Sequence, residues 1–209
     1  MFRGILLTLS SLVVFCAVCV ASPGVRSAAA QERVRAKVGV EVLSGEHRNA
    51  AKATEKVKMG DAIRVHVMPE AEAYVYVVHN DGKMTTLLNA RDVKTKTDKG
   101  ERVILPNQTS SYKVDGMSEK EVITVICSPQ ELPEVTTLLS ATSVPSSQWM
   151  PLEKSLLDRS KIDLGQKTDT PFQMAGNVRS LERDPFLDHL QIYSGKSLMV
   201  KKYELQVQK

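Results

Sequence analysis

Cys127, the one cysteine after residue 30, and four histidines are the side chains best suited to chemistry near neutral pH. Cys127 ends the run Val122-Ile123-Thr124-Val125-Ile126-Cys127, while His66 and His79 fall on two earlier strand-like stretches. Brought together across a sheet, such a thiol and imidazole would make a nucleophile and its general base. That chemistry needs a partly exposed thiol with a depressed pKa. An apolar β-prone run followed by Pro129 predicts a buried structural thiol instead. A thiol hydrolase built on Cys127 is therefore the enzymatic alternative, not the expectation. His47, His66, His79 and His189 show no pair at metal-ligand spacing, and no H-E-x-x-H or C-x-x-C follows residue 30. No catalytic residue, metal site or cofactor is assigned.

Asp61, Asp81 and Asp115 each stand beside a glycine, which is what a turn requires. No calcium-loop run, glycine-rich phosphate loop or G-x-S-x-G accompanies them. Asn107-Gln108-Thr109 has the form of a glycosylation sequon. Three candidate binding surfaces are left, the first of them a sheet edge where a partner's strand could add. Tyr74 and Tyr76 share one face of a strand, where core packing competes with an aromatic platform for peptide or glycan. The charged stretch Arg91–Glu101 carries Arg91, Lys94, Lys96 and Lys99 and reads as an exposed loop able to meet a partner.

The elements that would position these residues are mostly strands. From Val34 to Val42 every even residue is apolar and most odd ones are polar, the period of a strand buried on one face. Ser44 to Lys58 has no strong pattern. After Met59-Gly60-Asp61, residues Ile63, Val65 and Val67 point inward, while Arg64 and His66 are expected to face solvent. Ala73 to His79 is apolar on both faces, which predicts a central strand covered on two sides. Asn80-Asp81-Gly82 then turns the chain back through Lys83–Leu88 as a hairpin. Short strands follow at Arg102–Leu105 and Ser110–Val114, and Glu121–Cys127 is a second central strand. Ser128-Pro129-Gln130-Glu131 has the capping-box spacing, with Pro133 delaying the helix. A second helix is expected over Trp149–Ile162. Residues 136–189 form a helical and irregular excursion, and 190–209 return as strands. The pattern predicts an antiparallel β-sandwich or partly open barrel, with two short helices in its C-terminal half.

The first thirty residues suggest export. Arg3 precedes the uncharged run Ile5–Val20, and Ala28-Ala29-Ala30 supplies an A-x-A cleavage site, so the expected cut lies between Ala30 and Gln31. The apolar run is short for a bilayer span. A retained anchor, or lipidation at Cys19, competes with cleavage. Residues 31–209 are read as one β-rich domain. It carries 26 basic and 24 acidic side chains, Arg3 and Arg26 having gone with the leader, and this near balance disfavours nucleic acid. Cys127 is the one cysteine of that domain, so no internal disulfide supports it.

One resemblance covers about residues 55–135. Gly60-Asp61, the strand Ile63–Met68, Ala73-Tyr74-Val75-Tyr76-Val77, Asp81-Gly82 and Leu87-Leu88-Asn89 occur in order. Ile104-Leu105-Pro106, Tyr112, Gly116 and Val122–Pro129 follow them. This arrangement resembles the bacterial "domain of unknown function 4384" family, apart from Asn89 where that family usually has proline. The resemblance implies export, β structure and an accessory role, and transfers no catalytic residue. Together these features lead to the expectation of a non-catalytic periplasmic or envelope module that binds a protein partner, its membrane contact limited to the leader before cleavage. Small-ligand binding on the Tyr74/Tyr76 face is the alternative.

Overall fold

Alternating side chains become two packed sheets in the computed structural model, which describes residues 33–89, 95–140, 143–162 and 184–208. The first half of the chain contributes β1 (Val34–Ser44), β2 (His47–Ala50), β3 (Thr54–Lys58), β4 (Ala62–Pro69), β5 (Ala73–Asn80), β6 (Met84–Leu87) and β7 (Lys96–Thr97). There follow β8 (Val103–Leu105), β9 (Tyr112–Lys113), β10 (Lys120–Ser128), helix α1 (Pro133–Leu138), β11 (Val144–Pro145) and helix α2 (Ser146–Ser160). A 3-10 turn (Pro185–His189), β12 (Gln191–Gly195) and β13 (Met199–Gln208) complete the fold. One sheet runs β12-β1-β4-β8, with β2 also on β1 and β9 on β4. The other runs β11-β6-β5-β10-β13-β3, with β7 on β5. Neither closes into a barrel, so the molecule is the mainly β sandwich that the patterning predicts.

The inner faces make the first core. Ala36, Val38, Val40 and Val42 of β1 meet a layer that includes Val75, Val77, Ile123 and Val125. Each such side chain contributes about 1.5–3 kcal/mol of burial. A second core lies on the far side of β5 and β10, where Tyr76, Val78 and Ile126 pack under Val135, Leu139, Trp149 and Leu156. Trp149 and Leu156 are seven residues apart, which puts both on the sheet-facing side of α2. The two-sided apolar run of Ala73–His79 has the two-sided cover it predicts.

Two stretches differ from expectation. The unpatterned Ser44–Lys58 holds β2 and β3, and β3 pairs parallel with β13 from the other end of the chain. Only Val57 of β3 is buried, so one side chain carries the inward signal and no alternation develops. The excursion before residue 190 ends in the 3-10 turn, which lies over the outer face of β1 and β4. Phe186 is buried there, and a Cβ on Gly39 would come within 3.0 Å of its ring. Among the described residues no helix is long and apolar enough to cross a membrane.

Candidate functional surfaces

Cys127 is fully buried, opposite Val75 on one neighbouring strand and Met199 on the other. Burial pushes its thiol up to about 12. His79 lies opposite Ile123, four residues along β10 and therefore about 13 Å away at strand rise. His66 belongs to the other sheet and points outward from it. The structure brings neither histidine to the thiol, and burial favours its protonated form over the nucleophilic thiolate.

His66 itself corrects the sequence reading. It is buried rather than exposed, because Phe186 stacks on its ring with centroids 4.6 Å apart. Its Nε2 lies 3.3 Å from Oε2 of Glu41, also buried, on the diagonal of the β1–β4 pair, where His66 stands opposite Gly39 and Glu41 opposite Arg64. Arg64 and Arg48 approach the same carboxylate at 3.6 and 3.5 Å. Burial lowers the His66 pKa against the pull of Glu41. Asp184, at the head of the 3-10 turn, accepts from the Phe186 amide and from Arg102 at 2.8 Å. This cluster fastens the turn to the sheet. Nothing in the period of the chain marks it, since Glu41 and His66 occupy positions that alternation assigns to solvent.

His79 and Glu121 are hydrogen-bonded partners on neighbouring strands at one end of the sandwich, and they clamp β5 to β10. A carboxylate–imidazole pair is one component of general-base chemistry, and here it joins the two central strands.

Of the two readings of the tyrosine face, core packing describes Tyr76. Tyr76 is fully buried beneath α1, and its hydroxyl accepts the Leu132 amide hydrogen at 2.9 Å. Tyr74 is half-buried and packs against the same cluster. The two rings are the floor of the helical layer. Beside them a shallow groove of about 340 Å³ runs between the β10–α1 link and the end of α2. It is crossed by the chain's own ion pair, Arg159 with Glu134 at 2.8 Å.

Of the loop cations, Lys96 pairs with Glu72 at 3.0 Å, which raises its pKa, and Lys99 is exposed. Arg91 and Lys94 lie outside the described residues, as do Ala30, Gln31 and the whole leader.

Sheet edges are the remaining surfaces, and they differ in kind. β2 carries His47 and Arg48, β3 carries Lys56 and Lys58, and β7 is only Lys96-Thr97. β8 runs into Pro106, and β11 ends on Pro145. Charge, proline and brevity are the devices that keep an edge from pairing. β12 has none of them. Its five residues, Gln191-Ile192-Tyr193-Ser194-Gly195, are uncharged and free of proline, and β1 is its one strand partner among the described residues. Ile192 is 43% exposed. No family model matches the chain, and neither does any curated protein or solved structure.

Proposed function

We propose that this protein is an exported, non-catalytic module of the bacterial cell envelope that binds a protein partner. The observation that carries the reading is the open sandwich, which among the described residues offers an uncharged sheet edge with one strand neighbour, while Cys127 and His66 are buried and His79 is held by Glu121. Strand addition at such an edge is a general mode of protein recognition. The leader-like first thirty residues and the family resemblance over residues 55–135 support the compartment and the accessory role. The charged loop ending at Glu101 is a second contact surface.

The test is site-specific photo-crosslinking of the full chain in intact cells. A photoreactive residue is placed at Ile192, at Lys99 or at the exposed Met150 on α2. One recurrent adduct at Ile192 or Lys99, absent at Met150 and reproduced with the purified partner, is the expected result. Adducts at none of these positions, together with activity of the purified protein on a small substrate, would overturn it. N-terminal sequencing of the extracted protein checks the export step, with Gln31 expected as the first residue.

A further inference from the structure

We propose that the edge of β12, which no second strand pairs among the described residues, is the docking strand, and that its occupant is an extended, acidic segment of a partner protein. This deepens the proposed function and rests on it. Among the described edge strands, β12 alone has neither charge nor proline nor extreme brevity to discourage pairing. Its backbone is also held in place. The pairing with β1 runs without interruption from Val34 opposite Gly195 to Val38 opposite Gln191. Gly195 closes the link to β13 so tightly that a Cβ there would stand 1.9 Å from the Leu198 carbonyl oxygen. A strand so fixed loses little further freedom when another strand pairs with it.

The chemistry of the occupant follows from the charges around the edge. On the outer face, Ile192 lies directly opposite Lys37. On the inner face, Tyr193 lies under the ammonium of Lys201, 4.5 Å from the ring centre, and the same ammonium is 5.0 Å from the Tyr203 ring. Lys196 stands one residue beyond the strand. Lys37, Lys196 and Lys201 have no carboxylate within ion-pair distance among the described residues. The acids nearby are already engaged: Glu70 by Arg35 at 3.1 Å, Asp184 by Arg102 at 2.8 Å, and Asp188 by a neighbour. An incoming strand therefore meets an apolar side chain flanked by ammonium groups that no described carboxylate pairs, Lys37 on the outer face and Lys201, seated on two tyrosine rings, on the inner one. A segment alternating apolar and carboxylate residues complements that surface, and a basic one is repelled. A five-residue edge is also short for a self-standing dimer interface, which favours a partner that brings further contacts of its own.

The experiment titrates the intact protein with two peptides of about ten residues, one alternating Glu with Val and Thr, the other with Lys in place of Glu. Amide hydrogen exchange and chemical shifts of Gln191–Gly195 are followed by NMR. The expected result is binding of the acidic peptide only, with new exchange protection on β12 amides and an affinity that falls with added salt. Ile192→Glu guards the edge and Lys37→Glu reverses its charge, and each weakens binding by about tenfold while leaving the thermal midpoint within a few degrees. Equal binding of both peptides, or binding that Ile192→Glu does not change, overturns the edge assignment. Sedimentation of the peptide-free protein adds a third outcome, since a dimer lost in Ile192→Glu would make a second copy the occupant. Crosslinking to a partner that survives Ile192→Glu would overturn the edge proposal while leaving the interaction-module reading standing.

Discussion

The hydroxyl of Tyr76, at the centre of β5, accepts the amide hydrogen of Leu132 at 2.9 Å and so caps the start of α1 from 56 residues away. The N-terminus of α1 receives no side-chain cap from a neighbour in sequence, and Ser128 serves only the Gln130 amide. Tyr76→Phe keeps the ring in its pocket but leaves a buried donor without an acceptor. The expected loss is about 1–3 kcal/mol in urea unfolding. Tyr74→Phe, whose hydroxyl caps nothing, should cost much less. Equal losses would show that ring packing, not the cap, is what Tyr76 provides.

That relationship also marks where the chain could be read directly and where it could not. A two-sided apolar strand says that something must cover both faces, and the helices do so. What it does not say is that a tyrosine hydroxyl replaces the missing cap, because the contact depends on how α1 crosses β5. The same holds on the outer sheet. Ala36, Val38, Val40 and Val42 announce their face by period, whereas Glu41 and His66 read as solvent-facing until the 3-10 turn is laid over them. Phe186, a buried aromatic in a polar stretch, has no periodic neighbours to reveal it. β3 was hidden for another reason: its partner β13 lies about 150 residues downstream, so its pairing is a tertiary fact with little local trace. The edge on β12 was legible as a strand, but its distinction from the other edges needed the topology.

Burial decides the behaviour of Cys127. With its thiol pushed up to about 12, alkylation by iodoacetamide at pH 8 should proceed only through unfolding, and so follow the denaturant dependence of global stability. The label is read on the peptide that contains residue 127. Cys127→Ser places a hydroxyl among Val75, Met199 and their neighbours and should cost about 1–3 kcal/mol. Fast labelling of the folded protein would mean that the inner core opens locally at β10.

Helix α2 is tied to the sheet by a buried carboxylate. Glu153 accepts the Thr124 hydroxyl at 2.7 Å and the Lys202 ammonium at 3.3 Å. Thr124→Val removes one donor and strands part of that charge, with an expected cost of about 1–3 kcal/mol. Adding Glu153→Leu removes the buried charge itself and should recover part of the loss. Lys202 then still has Glu204 at 3.8 Å. A double variant less stable than the sum of the single changes would sink this account.

Two glycines should respond differently to the same methyl group. A Cβ on Gly39 meets Leu190 Cδ2 at 2.8 Å and the Phe186 ring at 3.0 Å, both side-chain atoms that can shift. A Cβ on Gly195 meets the Leu198 carbonyl oxygen at 1.9 Å, which is backbone. Gly39→Ala should cost about 1–3 kcal/mol and loosen the 3-10 turn. Gly195→Ala should cost more and remove amide protection along β12. The reverse order of thermal midpoints would show that the β12–β13 corner relaxes more readily than the turn.

The buried histidine ties the 3-10 turn to pH. His66 faces Glu41 on β1, with Arg64 on β4 and Arg48 on β2 around that carboxylate, and it lies beneath Phe186 with Asp184 and Arg102 nearby. Burial is the largest influence and favours the neutral ring, so the folded protein holds this proton less tightly than the unfolded chain, whose ordinary value is 6.5. The unfolded state therefore binds more protons as pH falls. Stability from His66 is complete well above 6.5 and declines as pH drops through that value toward the lower folded one. Asp184, held below its ordinary value by the Phe186 amide and Arg102 in spite of burial, adds a loss in the same direction at more acid pH. NMR titration of the His66 ring protons should give a midpoint below 6.5. Urea unfolding should be weaker at pH 5 than at pH 7.5, and His66→Gln should flatten part of that difference. A midpoint above the ordinary value would mean that Glu41 outweighs burial, and the predicted acid loss at this site would become a gain.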